Sequence, residues 1–301
     1  MTKRANLPQF NDRLLLGKEG LPVSPFCVGI GGSPETVTAA FERGINFFFL
    51  SADMHWPLYE ATRNGLDRLL ARGPHVREQI VVAAACYPTQ PEFCSVPFME
   101  LLEAVPALGS IDLLVAGGAY GEEFKARHPI YEQHRRAGFV GARAIGATFH
   151  ERKAAADAIG RNLIDIAFIR YNPDHSGARE DVFPLIEKPS STLLFSFNST
   201  HGYVPPLRLD ALGIRGDVYW HPAITDFYRF ALSRPEIDGL LISPTTSGEI
   251  LALEGALREG PLNHEEEQYL LDLSLVHRGK AHVELEDAPL PPLQDGAETG
   301  S

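Results

Sequence analysis

With 301 residues, 44% of them hydrophobic and 22% charged, the chain has the makeup of an ordinary globular protein with material for a sizeable core. A formal charge of −12 argues against the clustered Lys and Arg that a nucleic-acid backbone demands, so no such partner is expected. Cys27, Cys86 and Cys94 lack metal-type spacing, the opening MTKRANLPQFNDR has no apolar signal core, and no run approaches a membrane span, so a reducing, cytoplasmic setting without a membrane partner is expected.

Along the chain, short apolar runs alternate with amphipathic stretches. The runs lie near 26–32, 45–52, 80–86, 111–118, 142–148, 164–172, 192–199 and 237–244. Near-continuous apolar character at this length marks strands of a parallel sheet covered on both faces. Between them, SPETVTAAFERG offers Ser33 as a cap, Pro34 at the first helical position and Gly44 as a stop. LYEATRNGLDRLLARG, HERKAAADAIGRN and TTSGEILALEGALREG repeat the logic. Eight strand–helix units without a break in composition predict one (β/α)8 TIM barrel over residues 1–285. A further helix is expected at about 263–279, capped by Asn263, and the Pro-rich acidic tail 286–301 is expected to be disordered. An open doubly wound sheet ranks lower, because GIGGSPE only loosely approximates a dinucleotide fingerprint.

Several segments together resemble an aldo-keto reductase. They are LLLGKEGLPVSPFCVGIGG with ETVTAAFERGINFFF, then RAIGAT, YNP, FSFNSTHGYV and SRPEIDGLLISPTTSGEILALEGAL, in the family's order over about residues 12–260. The resemblance implies an NADPH-dependent carbonyl reductase with an Asp, Tyr, Lys and His at the ends of strands two to four. Carried over, it sets Leu50 at the Asp position, His55 at the Tyr, Cys86 at the Lys and Gly117 at the His. No lysine occurs between Lys18 and Lys125 and no histidine between His75 and His128, so no shift of alignment restores the set. The family also grips the 2′-phosphate with a basic residue after strand eight, whereas Leu241 to Leu257 holds none before Arg258. Thr148-Phe149 stands where the family carries the nicotinamide-binding Asn. No cofactor is therefore expected, with NADPH kept as an alternative.

Barrel chemistry resides at the C-terminal ends of the strands. The rim there offers Asp53, His55, Trp56, Cys86, Tyr87, Thr148, His150, Arg170, Asn172, His175, Asn198, His201, Ser243 and Thr245. His55, its tautomer held by Asp53, could act as general acid or base; otherwise it is an ordinary loop histidine. Arg170 could clamp a carboxylate or phosphate, or pair with Asp174 or Glu180. Trp56, Cys86, Thr148, Asn172, His175 and His201 complete the expected substrate site, each with an ordinary loop or core role as its rival. Asp53, His55, Cys86 and His150 have no diagnostic spacing, so no metal is expected.

These readings converge on an aldo-keto-reductase-like barrel turned to non-redox acid–base chemistry on a small polar or anionic metabolite: dehydration, isomerisation or cyclisation. Two alternatives stay open: a reductase using His55 or Tyr59 as an unusual proton donor, and a catalytically silent binding protein. A small-molecule ligand is expected and a protein partner is left open. Six lysines among 27 basic residues suggest a GC-rich bacterial genome.

Overall fold

A computed structural model describes residues 4–51, 53 and 55–279. Its strands are β1 (Leu14–Leu16), β2 (Leu21–Val23), β3 (Phe26–Val28), β4 (Phe47–Ser51), β5 (Val81–Cys86), β6 (Leu113–Ala119), β7 (Ala144–Phe149), β8 (Ile166–Arg170), β9 (Leu193–Phe197) and β10 (Gly239–Ile242). The last eight close into a parallel barrel, β10 pairing with both β3 and β9. Each corresponds to one of the eight apolar runs.

The helices are α1 (Pro34–Glu42), α2 (Glu60–Leu70), α3 (Pro74–Arg77), α4 (Val96–Ala104), α5 (Gly121–Ala137), α6 (Arg152–Gly160), α7 (Ala178–Asp181), α8 (Pro206–Ala211), α9 (Ile224–Leu232), α10 (Ser247–Arg258) and α11 (His264–His277). Ser33 caps α1 as expected, accepting from the Thr36 N–H at 3.2 Å. Gly44 ends it at φ 102°, where an added Cβ would stand 1.9 Å from Asn11 Oδ1. Asn263 and Glu266 form a reciprocal capping box on α11. The expected disordered tail, 286–301, lies outside the described residues.

The antiparallel hairpin of β1 and β2 was not among the expected elements. It pairs Leu14 with Val23 and covers the N-terminal end of the barrel, where Asn46 Nδ2 donates to Pro22 O at 2.8 Å. Above it the interior is aromatic. Phe47 meets Phe195, Phe195 meets Phe168 and Phe168 meets Phe49 edge to face, with centroids 5.5–5.8 Å apart. Each of these rings is essentially buried, and burying one contributes about 1.5–3 kcal/mol.

Side chains alternate across a strand, so this stack sets which residues reach the mouth. Phe47 and Phe49 point inward. Leu50 therefore turns toward the helix layer, and Ser51 turns back in.

Candidate functional site

The C-terminal end of the barrel holds a cavity of about 170 Å³, floored by Phe49. Its walls are Tyr59, Tyr87, Thr148, His150, Asn198 and Ser243, with Gly29, Ile30, Phe197 and Leu241 adding apolar surface. A larger depression of about 650 Å³ lies at the opposite end, and its arginines are committed elsewhere. Arg77 bonds Asp112, Arg143 bonds Glu19, and Arg13 donates to Phe10 O and Gly44 O. That end of the barrel serves stability.

Asp53 organises one side of the mouth. Its side chain is only 9% exposed, and Oδ1 accepts from Ser51 Oγ at 2.7 Å and from the His55 N–H at 3.3 Å. Its Oδ2 accepts from the Tyr87 N–H at 2.8 Å, linking the ends of β4 and β5. His55 Nδ1 lies 3.4 Å from Asp53 Oδ1, within ion-pair range but outside good hydrogen-bond geometry. The His55 ring rests on that of Tyr87, centroids 4.2 Å apart. His55 itself does not line the cavity; it touches the wall through Tyr87.

Tyr87 occupies the place that other side chains leave open. Gly117 would meet the Tyr87 ring at 2.8 Å if it carried a Cβ. The Tyr87 hydroxyl is pushed up to about 12 by burial and then by the Asp53 charge, so it stays protonated and can donate. Tyr59 ends the turn Trp56–Tyr59 and lies beside Phe49. Burial, Tyr87, Cys27 and Asp53 all push its hydroxyl well above the ordinary range, and no cation reverses them.

Of the expected substrate residues, Thr148 lines the cavity, its Oγ1 accepting from the Gly118 N–H at 2.7 Å. Cys86 is fully buried and does not line the cavity; its thiol lies on the far side of the wall, beside Cys94. Trp56 lies under the Arg63 guanidinium, 3.3 Å from its ring centre, and is not in the wall. Asn172 is fully buried and structural: Oδ1 accepts from the His175 N–H and Nδ2 donates to Asn198 O, both at 2.8 Å. His175 and His201 are not in the wall; their rings lie 5.2 Å apart, tilted by 57°, with His201 Nε2 3.6 Å from Asp174.

Arg170 pairs with neither Asp174 nor Glu180. Asp174 is taken by His201 and by Arg278 at 3.8 Å. The half-buried guanidinium sits 5.9 Å from the Phe197 ring centre, and its buried Nε has no hydrogen-bond partner among the described residues. A desolvated cation beside the wall suits an anionic group on a ligand.

The approach to α10 does not suit a 2′-phosphate. The Thr245 N–H donates to Glu249 Oε2 at 2.9 Å, and its hydroxyl bonds Oε1 of the same carboxylate. Thr246 caps the Glu249 N–H at 3.2 Å. The chain's own acid thus fills the helix N-terminus and would repel a phosphate dianion. Among the described residues, no three His, Cys, Asp or Glu side chains gather as a metal site requires. No described helix is long and apolar enough to cross a membrane.

No protein-family model and no curated relative matches the chain. Its fold does match solved aldo-keto reductases. The holo form of one from Bacillus halodurans superposes with a TM-score of 0.66 at 16% identity, over 87% of this chain and 96% of that one. The thermostable aldo-keto reductase Tm1743, in complex with the inhibitor epalrestat, gives 0.64 at 15% identity, over 91% and 100%. One from Brucella melitensis gives 0.60 at 11% identity, over 89% and 100%. The barrel thus resembles that of solved aldo-keto reductases, and at such identity the likeness speaks to fold alone.

Proposed function

We propose that this barrel, sharing its fold with aldo-keto reductases, lacks their catalytic tetrad and performs non-redox acid–base chemistry on a small anionic metabolite. The observation that carries the reading is the carboxylate–imidazole arrangement of Asp53 and His55, built onto the wall by Ser51 and the Tyr87 N–H. Asp53 accepts from the His55 backbone N–H and lies 3.4 Å from Nδ1. A turn of the ring that lets Nδ1 donate to Asp53 leaves the other nitrogen of His55 to take and return a proton at the mouth, beside Tyr87. Tyr87, held protonated, donates to the oxygen on which charge develops, and Arg170 fixes the anionic group. Dehydration, isomerisation and cyclisation all need only this set. Glu249 at the start of α10 supports a reaction that uses no NADPH. The free thiols of Cys27, Cys86 and Cys94 agree with a reducing cytoplasm, and the Arg-rich basic set with a bacterial source.

The test is proton exchange without cofactor. In D2O, with a panel of small 2-oxo acids, the protein should exchange α-hydrogens for deuterium, read by proton NMR. His55→Ala should slow this by about a hundredfold or more. Absence of exchange with every acid, together with saturable NADPH oxidation by carbonyl compounds, would overturn the proposal.

A second reading, reduction with Tyr59 as proton donor, draws on its place in the cavity wall. With its hydroxyl raised so far by burial and no cation to lower it, Tyr59 is a poor acid, which favours the first reading.

A further inference from the structure

Behind the cavity wall lies a second cluster that the proposed chemistry does not use. Strand alternation directs Cys86, at the end of β5, into the layer between β5 and the helices α4 and α5. Its thiol lies beside that of Cys94, and the two residues meet at one carbonyl: Pro88 O accepts from Cys94 Sγ and from Arg127 Nη1, which also donates to Cys86 O. Cys94 follows the turn Pro91–Phe93 and donates to Gln90 O at 3.6 Å and Pro88 O at 3.9 Å. Cys94 is itself fully buried, and the 88–93 loop that precedes it helps line a shallow surface depression together with Asp53 and Tyr87.

A buried cation completes the cluster. Arg127, fully enclosed on α5, donates to Cys86 O at 3.2 Å, Pro88 O at 3.3 Å and Gly117 O at 3.1 Å. It also pairs with Glu123 at 2.6 Å. The hydrogen bond from Cys86 lowers the Cys94 thiol below its ordinary value; Arg127 adds to the effect while burial and Glu92 oppose it. Cys86, as the donor, is raised. Cys94 is thus the more acidic thiol of the pair, with Cys86 beside it. Two sulfurs next to a guanidinium do not suit a metal cation. Cys27, by contrast, is alone and pushed up by burial.

We propose that Cys86 and Cys94 form a redox-modification site that hydroperoxides close to an intramolecular disulfide. The Cys94 thiolate attacks the O–O bond of the peroxide, forming S–OH and releasing an alcohol or water once the leaving oxygen takes a proton. Cys86 then attacks the sulfenyl sulfur; the S–S bond forms, S–O breaks, and the hydroxide leaves as water with the Cys86 proton. Two thiols lose two electrons and two protons to the peroxide. The sulfurs draw together to the ~2 Å of a disulfide. Cys86 adjoins Tyr87, and Cys94 grips the carbonyls of the next loop, so closure moves the cavity wall. A dithiol reductant reverses it by two exchange steps.

The full-length protein is exposed under native conditions to hydrogen peroxide, then denatured, alkylated, cleaved after Glu92 and mapped by mass spectrometry. The expected result is a linked pair of peptides carrying unalkylated Cys86 and Cys94, two hydrogens lighter than the sum, while Cys27 is alkylated. Dithiothreitol should restore both thiols. In Cys86→Ser, the Cys94 sulfenic acid should persist and be trapped by dimedone. Alkylation of Cys86 and Cys94 to the same extent as Cys27 would overturn the proposal. So would conversion of Cys94 to sulfinic acid with no linked peptide; the wild-type map decides even if the variant folds poorly.

Discussion

The ring of Tyr87 stands in the space that a side chain on Gly117 would need, with Cγ, Cδ1 and Cδ2 only 2.8–2.9 Å from where a Cβ would be. A side chain at Gly117 can be accommodated only if the Tyr87 ring gives way. Gly117→Ala should therefore destabilise the protein by about 1–3 kcal/mol, as overpacking does. In Tyr87→Ala the same change should cost little, and a double-mutant cycle by urea denaturation measures the coupling. Additive effects would remove Tyr87 from this wall.

Asp53→Asn tests the carboxylate that joins β4 to β5. The amide nitrogen would face hydroxyl and N–H donors that now find a carboxylate oxygen. Losing hydrogen bonds to a charged acceptor costs about 1.5–3 kcal/mol, read from the urea midpoint. An unchanged midpoint with lost proton exchange would confine Asp53 to chemistry.

Arg170→Met should behave in the opposite way. Among the described residues the guanidinium has no carboxylate partner, so its removal breaks no ion pair there and should leave thermal stability equal or raised. What should vanish is the rise in melting temperature that small carboxylates or phosphate give the wild type. If anions stabilise both proteins alike, Arg170 does not bind them.

Stability should fall on mild acidification, with identifiable contributors. Burial lowers His134 and His175 from the ordinary 6.5, and at His175 the charge of Arg170 adds to it. Each is neutral in the fold and protonates more readily when unfolded, so the unfolded chain binds more protons as pH drops below 6.5. Their contribution is complete above that value and is lost as pH falls through the lower folded values. Urea midpoints measured from about pH 7.5 to 5.5 should decline, and His134→Gln should flatten part of the slope.

The eight barrel strands were legible because each is a short, uninterrupted apolar run between helix caps such as Ser33 and Asn263. The hairpin of β1 and β2 was not, since three-residue strands are too short to show a period. At the site, adjacent residues were confused. Cys86 and Tyr87 differ by one position and so by one face, but the uniform VVAAAC of β5 gives no alternation by which to choose. The parity was present in Phe47 and Phe49, whose inward rings place Ser51 and Asp53 on the mouth side. Arg170 presents the reverse case. Asp174 is near in sequence, yet it is claimed by His201 and by Arg278, 104 positions further on. Such competition is visible only after folding.

The aromatic stack from Phe47 to Phe49, closed below by the hairpin, makes the barrel a dead end. Room above it equals that of about six water molecules. Whatever enters must back out by the doorway it came through, past Tyr87 and Asn198. Two reactants would have to queue in one short vestibule, whereas a single molecule that rearranges or sheds water needs no second berth. A reaction of the kind proposed, in which one molecule goes in and its altered self comes out, fits such a vestibule.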